Sequence, residues 1–189
     1  MTIGARRVRF TVEQYDRMGE SGILPDDPRI ELLYGHIIAR EPTGARHAGT
    51  VHRLNSLWTS RLGARVIVSV QNPVQFPKVD SELQPDIMLL KPRTDFYTAS
   101  HPVADDVLLL IEVADTSLRL DRRVKIPLCA RAGIRETWLC DLVTGRVEAY
   151  RNPTDGRYRS VQALARGHTL APTALPDIQV RVEDLIGPG

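Results

Sequence analysis

Hydrophobic positions recur along the chain with two periods, one helical and one strand-like. Val12, Tyr15 and Met18 sit at helical spacing behind a Thr11/Gln14 capping-box pattern. This predicts a helix over about residues 12–20, closed by Gly22 and Pro25. Ile30-Glu31-Leu32-Leu33 and His36-Ile37-Ile38-Ala39 flank the pair Tyr34-Gly35 and read as a β-hairpin. From Arg46 to Leu62, residues Val51, Leu54, Leu57, Trp58 and Leu62 line one face of a second helix. A strand is expected over residues 64–70, and an extended, proline-interrupted edge strand over residues 72–77.

Two apolar strand-like runs follow, separated by a polar loop over residues 92–106. Ile87-Met88-Leu89-Leu90 opens behind Gln84-Pro85-Asp86, and Val107-Leu108-Leu109-Leu110-Ile111-Glu112-Val113 carries one carboxylate near its end. A short helix lies within residues 121–132 and ends at Gly133. Pro127 requires that it either begin near Lys125 or kink. Glu136-Thr137-Trp138-Leu139-Cys140-Asp141 and Arg146-Val147-Glu148-Ala149-Tyr150 pair across Thr144-Gly145, with Trp138 and Tyr97 read as packing residues. Short strands and a helical turn at Val182-Glu183-Asp184-Leu185-Ile186 complete the chain. This order predicts an α/β fold, a mixed sheet flanked by helices with additional hairpins, in a single domain over residues 1–189.

Composition narrows the picture. With 189 residues, 42% hydrophobic and 25% charged, the chain has the make-up of a globular protein with a substantial core. The formal net charge of +2 does not mark a nucleic-acid binder, although it says nothing about local patches. The 2 cysteines, Cys129 and Cys140, lack metal-type spacing and fit a reduced, cytoplasmic setting. Residues 1–7 lack the apolar stretch of a secretory signal, and no apolar run is long enough to cross a membrane. Among 25 Lys+Arg only Lys78, Lys91 and Lys125 are lysines, and Lys125 alone follows both acid-bearing runs.

An acid within an apolar strand is costly to bury unless it is paired or holds a cation. Asp86 and Glu112 on neighbouring strands, with the carbonyl of Val113, could hold a hard divalent ion, and Lys125 could stabilise charge on a phosphate. The bland alternatives are a turn at Pro85-Asp86, a structural salt bridge for Glu112, and a helical ion pair between Asp121 and Lys125. Arg46, Arg53 and Arg61 read as a solvated helix face ahead of phosphate contacts. No Gly-rich phosphate loop, dinucleotide fingerprint or Gly-x-Ser-x-Gly elbow is present. His47 and His52 have the wrong spacing for zinc on one helical face.

The segments Arg29-Ile30-Glu31-Leu32-Leu33-Tyr34-Gly35-His36-Ile37, Gln84-Pro85-Asp86-Ile87, Ile111-Glu112-Val113-Ala114-Asp115-Thr116-Ser117, Asp121-Arg122-Arg123-Val124-Lys125 and Glu136-Thr137-Trp138-Leu139-Cys140-Asp141 together resemble the Uma-two family of the PD-(D/E)XK nuclease superfamily. The resemblance spans about residues 9–186. It implies a restriction-endonuclease-like fold and magnesium-dependent cleavage of DNA, with manganese as a possible substitute. Asp86 matches the superfamily aspartate and Glu112 the first acid of the (D/E)XK element. The pattern departs at Ala114, where the superfamily lysine ordinarily sits; Lys125 matches a lysine moved to the following helix. Glu31 is similar to the family's N-terminal acid and His47 to its histidine after the first hairpin; Gln84 would set the aspartate or contact DNA. The plain alternatives are a surface hairpin glutamate for Glu31 and a solvated helix-start residue for His47. The expectation is therefore a cytoplasmic endonuclease acting as a homodimer on DNA. The alternatives are a non-cleaving nuclease-fold binding module and a small-molecule phosphodiesterase.

Overall fold

The structure, a computed structural model, describes residues 8–25, 29–40 and 42–187. Residues 1–7 and Gly189, which entered the sequence reading, lie outside the described residues. Helix α1 (Val12–Glu20) begins as its capping box predicts: the Gln14 N–H donates to the Thr11 hydroxyl, and the Thr11 N–H donates to the Gln14 side chain. Strands β1 (Ile30–Leu33) and β2 (His36–Ala39) form the expected hairpin. Its turn residues Tyr34 and Gly35 have φ of 51° and 78°, the doubly positive geometry of a two-residue hairpin turn. A Cβ at Gly35 would stand 2.7 Å from the Arg9 Cβ and 3.0 Å from the Phe10 carbonyl oxygen, so a larger residue would displace the segment before α1.

The remaining strands are β3 (Ile67–Val70), β4 (Val74–Phe76), β5 (Ser81–Leu83), β6 (Ile87–Leu90), β7 (Val107–Ala114), β8 (Glu136–Asp141), β9 (Arg146–Thr154), β10 (Arg157–Ala165), β11 (Thr169–Leu170) and β12 (Val180–Arg181). The larger sheet runs β10-β9-β8-β7-β6-β3, and a smaller one runs β2-β1-β5-β4. In the larger sheet only β7 and β8 are parallel neighbours. Their connection is helical: α3 (Leu118–Leu120), a π-helical turn (Asp121–Lys125) and α4 (Ile126–Ala132). Both sequence options for Pro127 thus meet in one device. The proline sits in the first turn of α4, and the wider π turn before it absorbs the missing N–H and the ring's clash with the preceding turn.

Alternation along the strands sorts the core into two layers. Ile87, Leu89, Leu109, Ile111 and Val113 pack under α2 (Ala45–Leu62), where Val51, Leu54 and Trp58 meet them, and against Leu185 of α5 (Val182–Ile186). Trp58 and Trp138 pack as a tilted pair with centroids 5.9 Å apart, so Trp138 is a packing residue as expected. On the opposite face Met88, Leu90 and Leu110 pack on Leu128 and Cys129 of α4. Each such leucine contributes roughly 1.5–3 kcal/mol of burial. Because side chains alternate, Glu112 falls on the α4 side with Leu110, and Asp86, two residues before Met88, follows the same parity.

The structure departs from the sequence reading in several elements. The strand expected over residues 64–70 is only Ile67–Val70, since Gly63–Arg65 forms a 3₁₀ turn. The edge strand exists as β4, but it borders the smaller sheet. Strand β5 was not anticipated; its three residues are too few to show a period. The tail holds short strands in β11 and β12 as expected, but β9 and β10 are nine residues each, joined at Asp155-Gly156 with φ of 52° and 70°. Among the described residues no helix is long and apolar enough to cross a membrane.

Candidate active site

Five side chains singled out in the sequence converge at the end of the larger sheet where β6 begins. Asp86, Glu112, Lys125 and His47 line one cavity of about 650 Å³, together with Val113, Arg40, Asp121 and Arg119. Glu31 joins them from β1, hydrogen-bonded to Lys125 beneath the cavity. All five are buried: Glu31, Asp86 and Lys125 are 1% exposed, Glu112 is 2% and His47 is 5%. Glu31 is thus no surface hairpin glutamate, and His47 no solvated helix-start residue.

Lys125 is the centre of the arrangement. Its Nζ donates to Glu31 Oε1 and to Glu112 Oε1, both at 3.1 Å. The simple helical pair with Asp121 does not form; Asp121 accepts from the Ser117 hydroxyl at 2.6 Å instead. Glu31 Oε1 also accepts from the backbone N–H of Gln84 at 2.8 Å. Gln84 therefore positions Glu31 rather than Asp86. Glu31 Oε2 is buried without a hydrogen bond, although Arg40 Nε lies 3.4 Å away as an ion pair.

Asp86 is held on both oxygens. Oδ2 accepts from the Val113 N–H at 2.8 Å and contacts His47 Nε2 at 3.1 Å, while Oδ1 accepts from Gln71 Nε2 at 3.1 Å. Gln71 itself has a left-handed backbone, with φ of 51°. His47 Nδ1 is buried with no partner.

Charge explains how these groups titrate. Burial pushes the Glu112 carboxyl up to about 8 and outweighs Lys125, with Asp86, Asp121 and Glu31 adding to the rise. Burial acts in the same direction on Asp121, which is raised against the opposing pull of Lys125 and Ser117. For Asp86, burial is outweighed by the His47 hydrogen bond and charge, the Val113 N–H and Lys125, and its carboxyl is lowered. Burial works against the charge on Lys125, yet Glu112 and Glu31 more than offset it, and the ammonium is held more firmly protonated than usual. His47 likewise rises despite burial, because of the Asp86 hydrogen bond and charge.

The donor set suits a hard divalent ion. Four buried acids, Glu31, Asp86, Glu112 and Asp121, face Arg40 and Lys125, and burial makes Glu112 and Asp121 hold their protons until a cation takes their place. The orphaned Glu31 oxygen points the same way. Among the described residues no three His, Cys, Asp or Glu side chains converge as a ready-made metal cage. Two carboxylates and a carbonyl, with other positions left to water and phosphate, match what magnesium asks of a protein.

Sequence reasoning missed Arg40, Gln71 and Asp121. Asp121 had appeared only as the partner of an i,i+4 pair, and Arg40 ends a hairpin with nothing to distinguish it. The helix arginines divide. Arg61 donates to the Gln179 carbonyl and pairs with Asp184 at 3.5 Å, and Arg53 lies against Gly187, so both brace the C-terminal segment. Arg46 donates to the Leu142 carbonyl at 2.5 Å and lies 3.6 Å from Asp115, which lines the cavity.

This mixed sheet flanked by helices has a solved counterpart of the same fold. The crystal structure of "a putative nuclease" from Anabaena variabilis matches it with a TM-score of 0.71 at 17% identity, covering 94% of this chain and 97% of that one. Residues 12–183 match the Uma2 family, described as "Putative restriction endonuclease", and the chain belongs to that family. Comparison with curated proteins finds no match.

Proposed function

We propose that this protein is a metal-dependent endonuclease that hydrolyses phosphodiester bonds of DNA. The observation that carries this reading is the meeting of Asp86, Glu112 and Lys125, from two strands and the next helical segment, in one cavity. Magnesium, or manganese in its place, held by Asp86, Glu112 and the Val113 carbonyl, would supply charge neutralisation at the phosphate and a water of lowered pKa. Lys125, locked in its charged form, acts as an electrostatic stabiliser and not as a base. Glu31 fixes that ammonium, and Arg40 in turn braces Glu31. His47 orients Asp86 through Nε2. Arg119, which lines the cavity, supplies charge for the flanking backbone.

The test is plasmid cleavage with added magnesium or manganese, wild type beside Glu112→Gln. Loss of the ion's charge neutralisation should lower the rate by roughly three orders of magnitude. Cutting that persists in the variant would refute the site. One observation favours a second reading, a nuclease-fold module that binds without cutting: two of the three Lys125 donors are already taken by Glu31 and Glu112. DNA binding with no cleavage, and no stabilisation by either ion, would select it. Two strands and one such site per chain call for a homodimer in the cytoplasm; light scattering that shows a monomer with and without DNA removes that part.

A further inference from the structure

Arg40 lines the candidate active-site cavity beside Asp86, Glu112 and Lys125, and its hydrogen-bond donors are used unlike those of comparable arginines. It follows β2 directly, and its backbone N–H donates to the Arg29 carbonyl at 2.8 Å, which extends the hairpin ladder by one step. Glu31 pairs with Ile38 across that hairpin. Side chains two apart on a strand share a face, so Arg40 lies on the face of Ile38 and Glu31. The hairpin thus delivers one acid and one guanidinium to the same cluster.

Two other half-buried arginines show what a structural role looks like in this fold. Arg151, whose side chain is 21% exposed, donates to Glu136, Gln162 and the Ala171 carbonyl. Arg122, 37% exposed, donates to Asp141 and to both oxygens of Glu148. Arg40 is more buried than either, at 17%, yet among the described residues its side chain donates no hydrogen bond. Its ion pair, from Nε to Glu31 Oε2, is 3.4 Å long, and Nε is buried without a hydrogen-bond partner. Nη1 and Nη2, also unbonded, are not buried in that way and keep the open end of the fork accessible. Donors withdrawn from water and left unbonded are costly, and more so on a charged group.

We propose that Arg40 is the phosphate-binding residue of this cavity, with Nη1 and Nη2 donating to two non-bridging oxygens of one phosphate in the DNA backbone. A planar fork of N–H donors matches phosphate in bidentate fashion. Lys125 cannot supply that grip, because two of its three donors are spent on Glu31 and Glu112. The cavity then divides its work: the acids serve a cation, and Arg40 serves the anion. Arg40 touches the substrate itself, in addition to its contact with Glu31. The inference rests on the nuclease reading of this cavity, but the grip requires neither a metal nor bond cleavage.

The experiment is a fluorescence-anisotropy titration of the full chain with a labelled DNA duplex in EDTA, repeated over a range of salt. Arg40→Gln should weaken binding at least about tenfold and make the salt slope shallower by about 1. Arg40→Lys keeps the charge beside Glu31 but loses the fork, so it should keep the slope and still lose affinity. Glu31→Gln removes the ion pair and leaves the fork, and should not weaken binding. Inorganic phosphate as competitor separates the sources: displacement beyond that of chloride at equal ionic strength places a free phosphate on Arg40, and none beyond it places the DNA backbone there. A thermal melt establishes that each variant is folded. A wild type that binds through Arg40 but never cuts refutes the endonuclease reading and leaves this one standing. Wild type that binds neither DNA nor phosphate, unchanged affinity in Arg40→Gln, or an equal loss in Glu31→Gln would overturn the assignment.

Discussion

Two cavities pose the same problem and resolve it differently: the candidate active site, and a larger one of about 1050 Å³ beside the small sheet and α1. Each buries carboxylates beside the small sheet, one on either face. At the first, Lys125 and Arg40 come to meet Glu31 and Glu112. At the second, Gln75 donates to both Glu82 and Asp16. Both leading acids are lifted by burial, Glu112 to about 8 and Glu82 to about 7. The difference lies in how the charge is kept. Internal cations make the first cluster part of the folded frame, whereas Glu82 lowers the cost of its burial by keeping its proton up to about 7. Gln71 and Gln84 touch both regions: each lines the second cavity while bonding Asp86 or Glu31 of the first.

The largest effect should come from removing the cation of the first cluster. Lys125→Met leaves Glu31 and Glu112 buried without their partner and should cost about 3–5 kcal/mol in urea unfolding. Adding Glu31→Gln should recover part of that loss; full loss in the double variant would mean the lysine acts mainly by packing.

Glu82→Gln should do the opposite and stabilise. The carboxyl titrates near its ordinary 4.5 when unfolded and at about 7 when folded, so the folded state holds its proton more tightly. Stability therefore falls as pH rises from 4.5 to 7 and stays low above that, by roughly 3 kcal/mol at most. The variant's advantage should appear at pH 8 and vanish near pH 4.5. A pH-independent difference would remove the contrast between the two cavities.

Gln71→Ala, which deletes a hydrogen bond to Asp86, should cost about 1–2 kcal/mol and lower plasmid cleavage. The smallest effect concerns His47. Its folded pKa is raised by Asp86, so its pairing contributes below the unfolded value and is lost as pH climbs through the folded one. Asp86→Asn should move the His47 NMR titration downward; an unmoved titration would separate the two residues.

Much of this was readable in the chain. The capping box at Thr11, the Tyr34-Gly35 turn and the α2 stripe are local signals, and each produced its element. Asp86, Glu112 and Lys125 stood out because acids and a lone lysine in apolar company are chemically anomalous. Strand β5 was hidden because three residues carry no period, and Glu82 within it gave no hint of burial. Gln71, an amide after a strand, looked like any loop residue until its left-handed backbone turned it toward Asp86.

The sequence by itself determined the helices, the longer strands, the anomalous acids and lysine among them, and the family to which the chain belongs. The tertiary structure alone decided which acids received a counter-charge. That depends on which cations the folded sheets bring within a few ångströms, and residues as distant as Glu31 and Lys125 meet only when β1 and the π turn pack together. Sequence spacing fixes neighbours along one element; burial and Coulomb energy are set between elements, by distance and by the exclusion of water.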